Sequence, residues 1–172
     1  MNNMKAGYKQ TEVGVIQCDW EVKELGSFST VSSGGTPNRG VASYWKGNIP
    51  WITTSQIDFI TIVYANEFIS EEGINNSAAK IYKAGTLLMA MYGQGKTRGK
   101  VAILGIDATT NQTCGAVLLT KEVLREYIFC NLSSRYDEIR NLSNTGNQEN
   151  LSGSLIKKVL IPLPPTSKNK LL

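Results

Sequence analysis

Residues 86–112, TLLMAMYGQGKTRGKVAILGIDATTNQ, decide the local fold. Two apolar runs, 86–91 and 101–104, flank a glycine-rich polar segment. Residues 90–97 fit the relaxed phosphate-binding loop pattern, in which Ala or Gly precedes four residues and Gly-Lys-Thr. Such a loop needs a helix after its lysine, because the N–H groups of the helix N-terminus hold the phosphates. An apolar run of strand length follows instead, so the sequence favours a β-hairpin over a nucleotide site.

The turn of this predicted hairpin is polar and cationic. Lys96, Arg98 and Lys100 alternate, and side chains at this spacing project from one face of an extended arm. Lysines bind phosphate as point charges, so Lys96 and Lys100 are predicted to hold a nucleic acid backbone. Gln94, Thr97 and Arg98 are predicted to reach base edges. The alternative is a solvated hairpin whose charges only maintain solubility.

Composition predicts one globular domain. The chain has 172 residues, 41% of them hydrophobic, which is enough for a substantial core. Residues 86–172 carry 11 basic and 6 acidic side chains, whereas residues 1–85 carry 7 and 8. The positive charge therefore accompanies the hairpin, which favours a polyanionic partner. No apolar stretch suits a membrane span and the N-terminus lacks a signal-peptide core, so we expect a cytoplasmic protein with no membrane partner.

No residue pattern calls for catalysis. The sequence contains no histidine, which removes the commonest general base and the Ser/His and Cys/His pairs. The three cysteines, Cys18, Cys114 and Cys130, are odd in number and widely spaced, which predicts reduced thiols. The residues therefore leave catalysis open without calling for it, and the absence of histidine also removes most transition-metal sites.

The chain as a whole predicts an α/β domain of the α+β type, built on a twisted, mostly antiparallel β-sheet. Strands dominate from residue 86 to about residue 119, and others are expected near 29–31, at 49–52 and at 159–163. Pro50 confines its strand to a sheet edge or a strand start, because proline has no N–H to donate.

One long amphipathic helix is predicted over residues 121–140, capped by Thr120 and packed on the sheet. Its apolar residues recur every three or four positions. They are Leu124, Tyr127, Ile128, Leu132, Tyr136 and Ile139. Shorter helices are predicted within 20–28, after Ser70, where two acids follow a capping residue, and at 151–156.

A series of short motifs also runs along nearly the whole chain. They are GYKQTEVGVI at 7–16, DWEV at 19–22, LG at 25–26, SGGTP at 33–37, IPW at 49–51, GQGKTRG at 93–99, NQ at 111–112, TGNQ at 145–148, NL at 150–151 and IPLPP at 161–165. In this order they resemble one target recognition domain of the specificity (S) subunits of type I restriction–modification enzymes.

That resemblance implies a function and a set of partners. S subunits of this family are not enzymes, and each of their two recognition domains reads one half of a split sequence in double-stranded DNA. Methyltransferase (M) subunits flip and methylate an adenine, and restriction (R) subunits translocate and cut. S-adenosylmethionine, ATP and magnesium would therefore belong to partner subunits. The resemblance makes residues 1–165 the recognition domain and gives the hairpin a DNA-facing role.

The same resemblance raises further expectations. Residues 166–172 form a tail where the family would begin a spacer helix, so we expect a half-subunit or a fragment, which could pair with a second S half-subunit. An alternative is a vestigial S fragment that occupies M subunits without reading DNA. Trp45, Asn147 and Gln148 are further DNA-binding candidates, with core packing an open alternative for Trp45.

Overall fold

The computed structural model describes residues 5–93, 95–142 and 150–165. The strands are β1 (Tyr8–Thr11), β2 (Gly14–Gln17), β3 (Glu21–Glu24), β4 (Ser29–Ser33), β5 (Ile49–Ile52), β6 (Thr61–Ile62), β7 (Glu67–Ile69), β8 (Leu87–Ala90), β9 (Val101–Leu104), β10 (Thr109–Thr110), β11 (Cys114–Leu119) and β12 (Leu160–Leu163). The helices are α1 (Glu71–Asn75), α2 (Arg125–Ser134), α3 (Tyr136–Asn141) and α4 (Gly153–Lys157), with 3₁₀ turns at Leu25–Ser27, Ala42–Trp45 and Thr54–Gln56.

Across these described ranges the strands form four sheets. The largest has the order β4-β11-β8-β9-β6, a second has the order β10-β5-β7, and β1–β2 and β12–β3 are two-stranded. The pairings are antiparallel except for β10 with β5 and β6 with β9. The predicted α+β fold with mostly antiparallel strands is confirmed, although the strands are divided among several sheets.

Strand β8 is buried on both faces and anchors the core. Leu87 and Met89 point into an apolar cluster with α2, α3 and α4, because successive side chains alternate across a strand. Leu88 and Ala90 point into a second cluster, which contains Ile52 of β5. The five-stranded sheet is therefore covered by helices on one face and by the segments around β5 on the other.

The predicted hairpin is confirmed. Strands β8 and β9 are antiparallel neighbours, with Leu87 opposite Ile103. Residues 92–100 connect them, and we call this segment the hairpin tip. Gly95 and Gly99 have φ values of 84° and 86°, a region that favours glycine. Since β9 follows the tip, the structure lacks the helix that a phosphate-binding loop requires.

The long helix predicted over residues 121–140 is wrong in its start and in its continuity. Helix α2 begins at Arg125, because Thr120 instead continues the sheet, its N–H donating to Phe28 O at 3.0 Å. The chain breaks at Arg135, which has φ −107° and ψ 25°, before α3 begins. There Arg135 Nη1 donates to Leu160 O at 2.5 Å, which ties the break to β12.

Two further predictions, one of a helix and one of the position of a strand, also need correction. The segment predicted as a helix within 20–28 is strand β3 followed by a 3₁₀ turn, because β3 pairs with β12. Pro50 lies in the central strand of its sheet and not at an edge, but as the second residue of β5 it is close to the strand start that the prediction also allowed. The Pro50 carbonyl faces β10 and accepts from Thr109 Oγ1 at 2.8 Å. Because the pairing of β5 with β10 begins only at Trp51, no backbone donor is required at Pro50.

The remaining predicted elements agree with the structure. Ser70 caps α1, its Oγ accepting from Gly73 N at 3.1 Å. Ser152 caps α4 in the same way, and β12 follows. Among the described residues, no helix is long and apolar enough to cross a bilayer.

The three cysteines are free thiols in different environments, which leads to a labelling prediction. Burial raises the pKa of the Cys114 thiol to about 12, whereas Cys18 and Cys130 are exposed. Because the thiolate is the reactive form, iodoacetamide at about pH 8 should modify Cys18 and Cys130 in the folded chain and Cys114 only after denaturation. Mass spectrometry of the peptides measures this. Equal labelling of Cys114 and Cys18 in the folded chain would contradict the burial.

Candidate nucleic-acid interface

Sheet topology brings four polar segments to one end of the domain. Antiparallel pairing places Ser33, at the end of β4, opposite Gly115 near the start of β11, and the end of β8 lies beside the same strand. Parallel pairing places Ile52, at the end of β5, beside Thr110 at the end of β10. The segments at these strand ends are 34–40, 53–56, 92–100 and 111–113. We call them together the polar end.

Hydrogen bonds fix two of these segments, 34–40 and 111–113, against each other and against the neighbouring strand ends. The bonds are Gly35 N to Thr110 O (2.9 Å), Asn111 N to Ile52 O (3.0 Å), Met91 N to Thr113 O (2.9 Å) and Thr36 Oγ1 to Gln112 Oε1 (2.5 Å). Asn111 Oδ1 also accepts from Thr113 N at 3.2 Å and from Thr113 Oγ1 at 2.8 Å, so it shapes its own turn. The polar end is thus a set of connected loops on a rigid base.

The charge of the polar end is positive. Its four segments contain no Asp or Glu, and their cationic side chains are Arg39, Lys96, Arg98 and Lys100. Arg39 pairs with Glu67, and Lys100 Nζ lies 2.6 Å from Asp58 Oδ1. Lys96 is exposed to solvent at the hairpin tip. A polyanion approaching this end therefore meets Lys96 without an acid in the same segment.

Acidic side chains occur at the opposite end of the five-stranded sheet. Asp107 follows β9 and Glu122 follows β11. Hydrogen bonds from the Lys83 side chain and from Ala84 N lower the pKa of Asp107 below its usual value. A hydrogen bond with the Thr120 side chain likewise lowers the pKa of Glu122. The four segments of the polar end contain no Asp or Glu, which makes this end the side suited to a polyanion.

The row of three cations predicted for the hairpin is wrong. Residues 95–99 of the tip form turns and not extended backbone, so the spacing of two residues does not place side chains on one face. Arg98 is only 4% exposed, which contradicts its expected position on the surface. Lys96 remains exposed, and Lys100 is partly covered, with 22% of its side chain accessible and Asp58 beside it.

The other predicted site residues have different surroundings. Thr97 is half-buried and lies close to Gly93. A Cβ added at Gly93 would lie 2.8 Å from the Cβ of Thr97. Gln94, Asn147 and Gln148 lie outside the described residues. These four stay predictions as DNA-binding residues.

Trp45 lies in packed surroundings. Its indole N–H donates to Asn38 O at 3.2 Å, and its ring meets that of Trp51 edge to face at 4.9 Å. The Arg39 guanidinium lies 3.5 Å from the centre of the Trp45 ring. This cation–π contact covers the aromatic face that a base would need for stacking. The arrangement favours the core-packing alternative for Trp45.

Sequence reasoning missed three site residues, one in the hairpin tip and two in the helix beside it. Tyr92 is 38% exposed, and the signal for it was an aromatic residue beside a glycine turn. Tyr136 and Arg140 of α3 reach the tip backbone, with Tyr136 OH 2.5 Å from Lys96 O and Arg140 Nη1 3.3 Å from Arg98 O. Helical spacing had marked Tyr136 only as part of an apolar stripe, and no sequence pattern indicated Arg140.

The described ranges contain no group of three or more His, Cys, Asp or Glu side chains placed to hold a metal ion. The prediction that the chain carries no cofactor stays a prediction.

Residues 17–171 match the family described as the type I restriction modification DNA specificity domain. The chain belongs to this family. The specificity components of type I restriction systems are non-catalytic, so this DNA specificity domain is not an enzyme.

Curated relatives agree with this membership. The DNA specificity domain is 29% identical over 170 residues to the type I restriction enzyme MjaIX specificity subunit of Methanocaldococcus jannaschii, covering 95% of this chain and 39% of that protein. It is 27% identical over 163 residues to the EcoR124I/EcoR124II specificity subunit of Escherichia coli, covering 91% and 40%. The chain therefore spans about two fifths of the length of these relatives.

Solved structures show the same fold. The HsdS subunit from Thermoanaerobacter tengcongensis matches with a TM-score of 0.68 at 13% identity, covering 96% of this chain and 38% of that one. The S subunit of a type I system from M. genitalium matches with a TM-score of 0.62 at 16% identity, covering 88% and 36%. The DNA specificity domain thus has the fold of one part of an S subunit.

Proposed function

We propose that this chain reads one half of a bipartite DNA target through its polar end and directs methyltransferase and restriction subunits to that target. The observation that carries the proposal is the convergence of four acid-free polar segments at one end of the sheets, with Lys96 exposed at a glycine-rich turn. Phosphate contacts from such a surface position a protein on the duplex, and polar side chains beside them read base edges.

The proposed roles follow the surroundings of each side chain. Lys96 contacts phosphate, and Thr97 and Gln94 are the candidates for base edges at the tip. Asn147 and Gln148 are proposed as further contacts on the strength of the sequence resemblance. Lys100 is assigned a supporting role, because its ammonium group is already paired with Asp58.

The proposed assembly follows the relatives. M and R subunits are proposed as partners, with a second S half-subunit as a further one, because the chain spans about two fifths of its relatives. S-adenosylmethionine, ATP and magnesium are assigned to the partner subunits and not to this chain. A cytoplasmic location is proposed for the same reason, since DNA and the partner subunits are found there.

The proposal predicts weak, salt-dependent DNA binding by the chain alone. One recognition half has few contacts, so the dissociation constant should lie near the non-specific range of about 10⁻⁴–10⁻⁶ M. Lys96→Ala should weaken binding to all duplexes and reduce the salt slope by about one, since one phosphate contact is lost. Fluorescence anisotropy over a salt titration measures both quantities.

A control at the opposite end makes this test specific. Lys83→Ala removes an exposed cation that is paired with Asp107 away from the polar end, so its salt slope should equal that of the parent. Equal slopes for Lys96→Ala and the parent would remove the hairpin tip from the DNA-facing surface. Co-purification with M subunits in the absence of salt-dependent DNA binding would support the vestigial fragment instead.

A further inference from the structure

The backbone of the hairpin tip is held from outside by one helix. Tyr136 OH donates to Lys96 O at 2.5 Å, and Arg140 Nη1 donates to Arg98 O at 3.3 Å and lies 3.4 Å from Tyr136 OH. Both donors belong to α3, and the two carbonyls flank Thr97. Helix α3 therefore contacts the tip on both sides of its central residue.

Bonds within the hairpin and bonds from α3 together hold the tip. Within the hairpin, backbone bonds run from Ala90 N to Lys100 O, from Gly99 N to Ala90 O and from Lys100 N to Thr97 O. The side chains of Tyr136 and Arg140 add bonds to the carbonyls of Lys96 and Arg98. Glycine gives the backbone of such a turn many accessible conformations, so bonds from outside are needed to select one.

Tyr136 is itself fixed by its neighbours. Its ring meets the Phe59 ring edge to face at 5.4 Å. Phe59 has a φ of 56°, a backbone conformation that residues other than glycine rarely adopt. Its N–H donates to Val101 O at 2.8 Å. A strained residue of this kind persists only where its surroundings determine it. The Tyr136 ring thus packs against Phe59, which is bonded to the base of the hairpin, while the Tyr136 hydroxyl bonds to the tip.

We propose that Tyr136, assisted by Arg140, is a positioning residue for DNA binding: it holds the backbone at Lys96 so that the tip meets DNA in one preset shape. The inference rests on the proposed function of the polar end. Arranging a binding loop beforehand raises affinity because less conformational freedom is lost on association. Tyr136 acts through the tip and needs no contact with DNA.

The test is Tyr136→Phe in the full chain, which removes the hydroxyl and keeps the ring. Affinity for duplex DNA should fall by about threefold to tenfold, the range for one net hydrogen bond. The salt slope should stay that of the parent, because no cation is removed. In a Lys96→Ala background, Tyr136→Phe should change affinity by less than about twofold, because the group that it positions is absent.

Tyr127→Phe is the matched control. Tyr127 OH donates to Pro162 O, so this variant also loses a single hydroxyl bond to a backbone carbonyl, but on α2 and away from the tip. Its DNA affinity should equal that of the parent, and thermal unfolding reports the stability of both variants. A merely structural role would lower DNA binding equally in the two variants and overturn the inference.

The remaining outcomes separate the inference from the function. A parent chain that binds DNA with normal salt dependence, together with an unchanged Tyr136→Phe variant, overturns only the positioning role. Equal effects of Tyr136→Phe with and without Lys96 also overturn it. A parent chain without salt-dependent DNA binding overturns the proposed function and this inference with it.

Discussion

Gly34→Val should strongly destabilise the folded domain. A Cβ at Gly34 would lie 1.9 Å from Thr110 O and 2.3 Å from Thr110 Oγ1, and the first of these is a backbone atom that cannot rotate away. Thr110 is held in turn by the parallel pairing of β10 with Ile52. Separating these segments should lower the free energy of unfolding by about 3 kcal/mol or more, which is a large share of the stability of a small domain.

Urea denaturation followed by tryptophan fluorescence measures this loss. Gly40→Val is a suitable control, because the nearest group to a Cβ at Gly40 is the flexible side chain of Asn38, at 3.2 Å. The control should unfold at nearly the same urea concentration as the parent. A Gly34→Val variant with the midpoint of the parent would mean that residue 34 does not approach β10 closely.

Arg98→Ala should act on stability first and on DNA binding only as a consequence. Arg98 is 4% exposed, so its removal leaves a cavity at the base of the hairpin tip. We expect the free energy of unfolding to fall by about 2–3 kcal/mol. Binding to two unrelated duplexes should weaken by the same factor, because no base-specific contact is lost.

Two measurements distinguish this from direct base reading. Chemical denaturation gives the change in stability, and anisotropy with both duplexes gives any change in discrimination. Lys96→Ala provides the comparison, since an exposed side chain should lose affinity and salt dependence with nearly unchanged stability. If Arg98→Ala kept the parent's stability but lost the preference for one duplex, Arg98 would be a base-reading residue, as its sequence alone suggests.

The sequence predicted the elements whose causes are local. The β8–β9 hairpin follows from two apolar runs around glycines, and the capping of α1 follows from Ser70 and the two acids after it. These features depend on neighbours in the chain, which a single sequence displays. The resemblance to specificity subunits was likewise carried by short local motifs, and the family match over residues 17–171 confirmed it.

Features that depend on distant contacts could not be predicted. The break at Arg135 is tied to Leu160 O, a contact across 25 residues. The burial of Arg98 arises because the tip turns instead of extending, so the rule of alternating side chains did not apply. Tyr136 was interpreted by its helical spacing alone, because the bond from its hydroxyl to Lys96 O joins residues that are 40 positions apart in the sequence.

The composition of the polar end has a consequence for recombination between related genes. Its segments extend from residue 34 to residue 113, and the hydrogen bond from Thr36 Oγ1 to Gln112 Oε1 joins its first segment to its last. A crossover inside this interval would combine loops from two parents that were never fitted to each other. Crossovers before residue 34 or after residue 113 would transfer the whole set intact. We therefore expect residues 34–113 to be inherited as one block when a DNA preference passes between relatives.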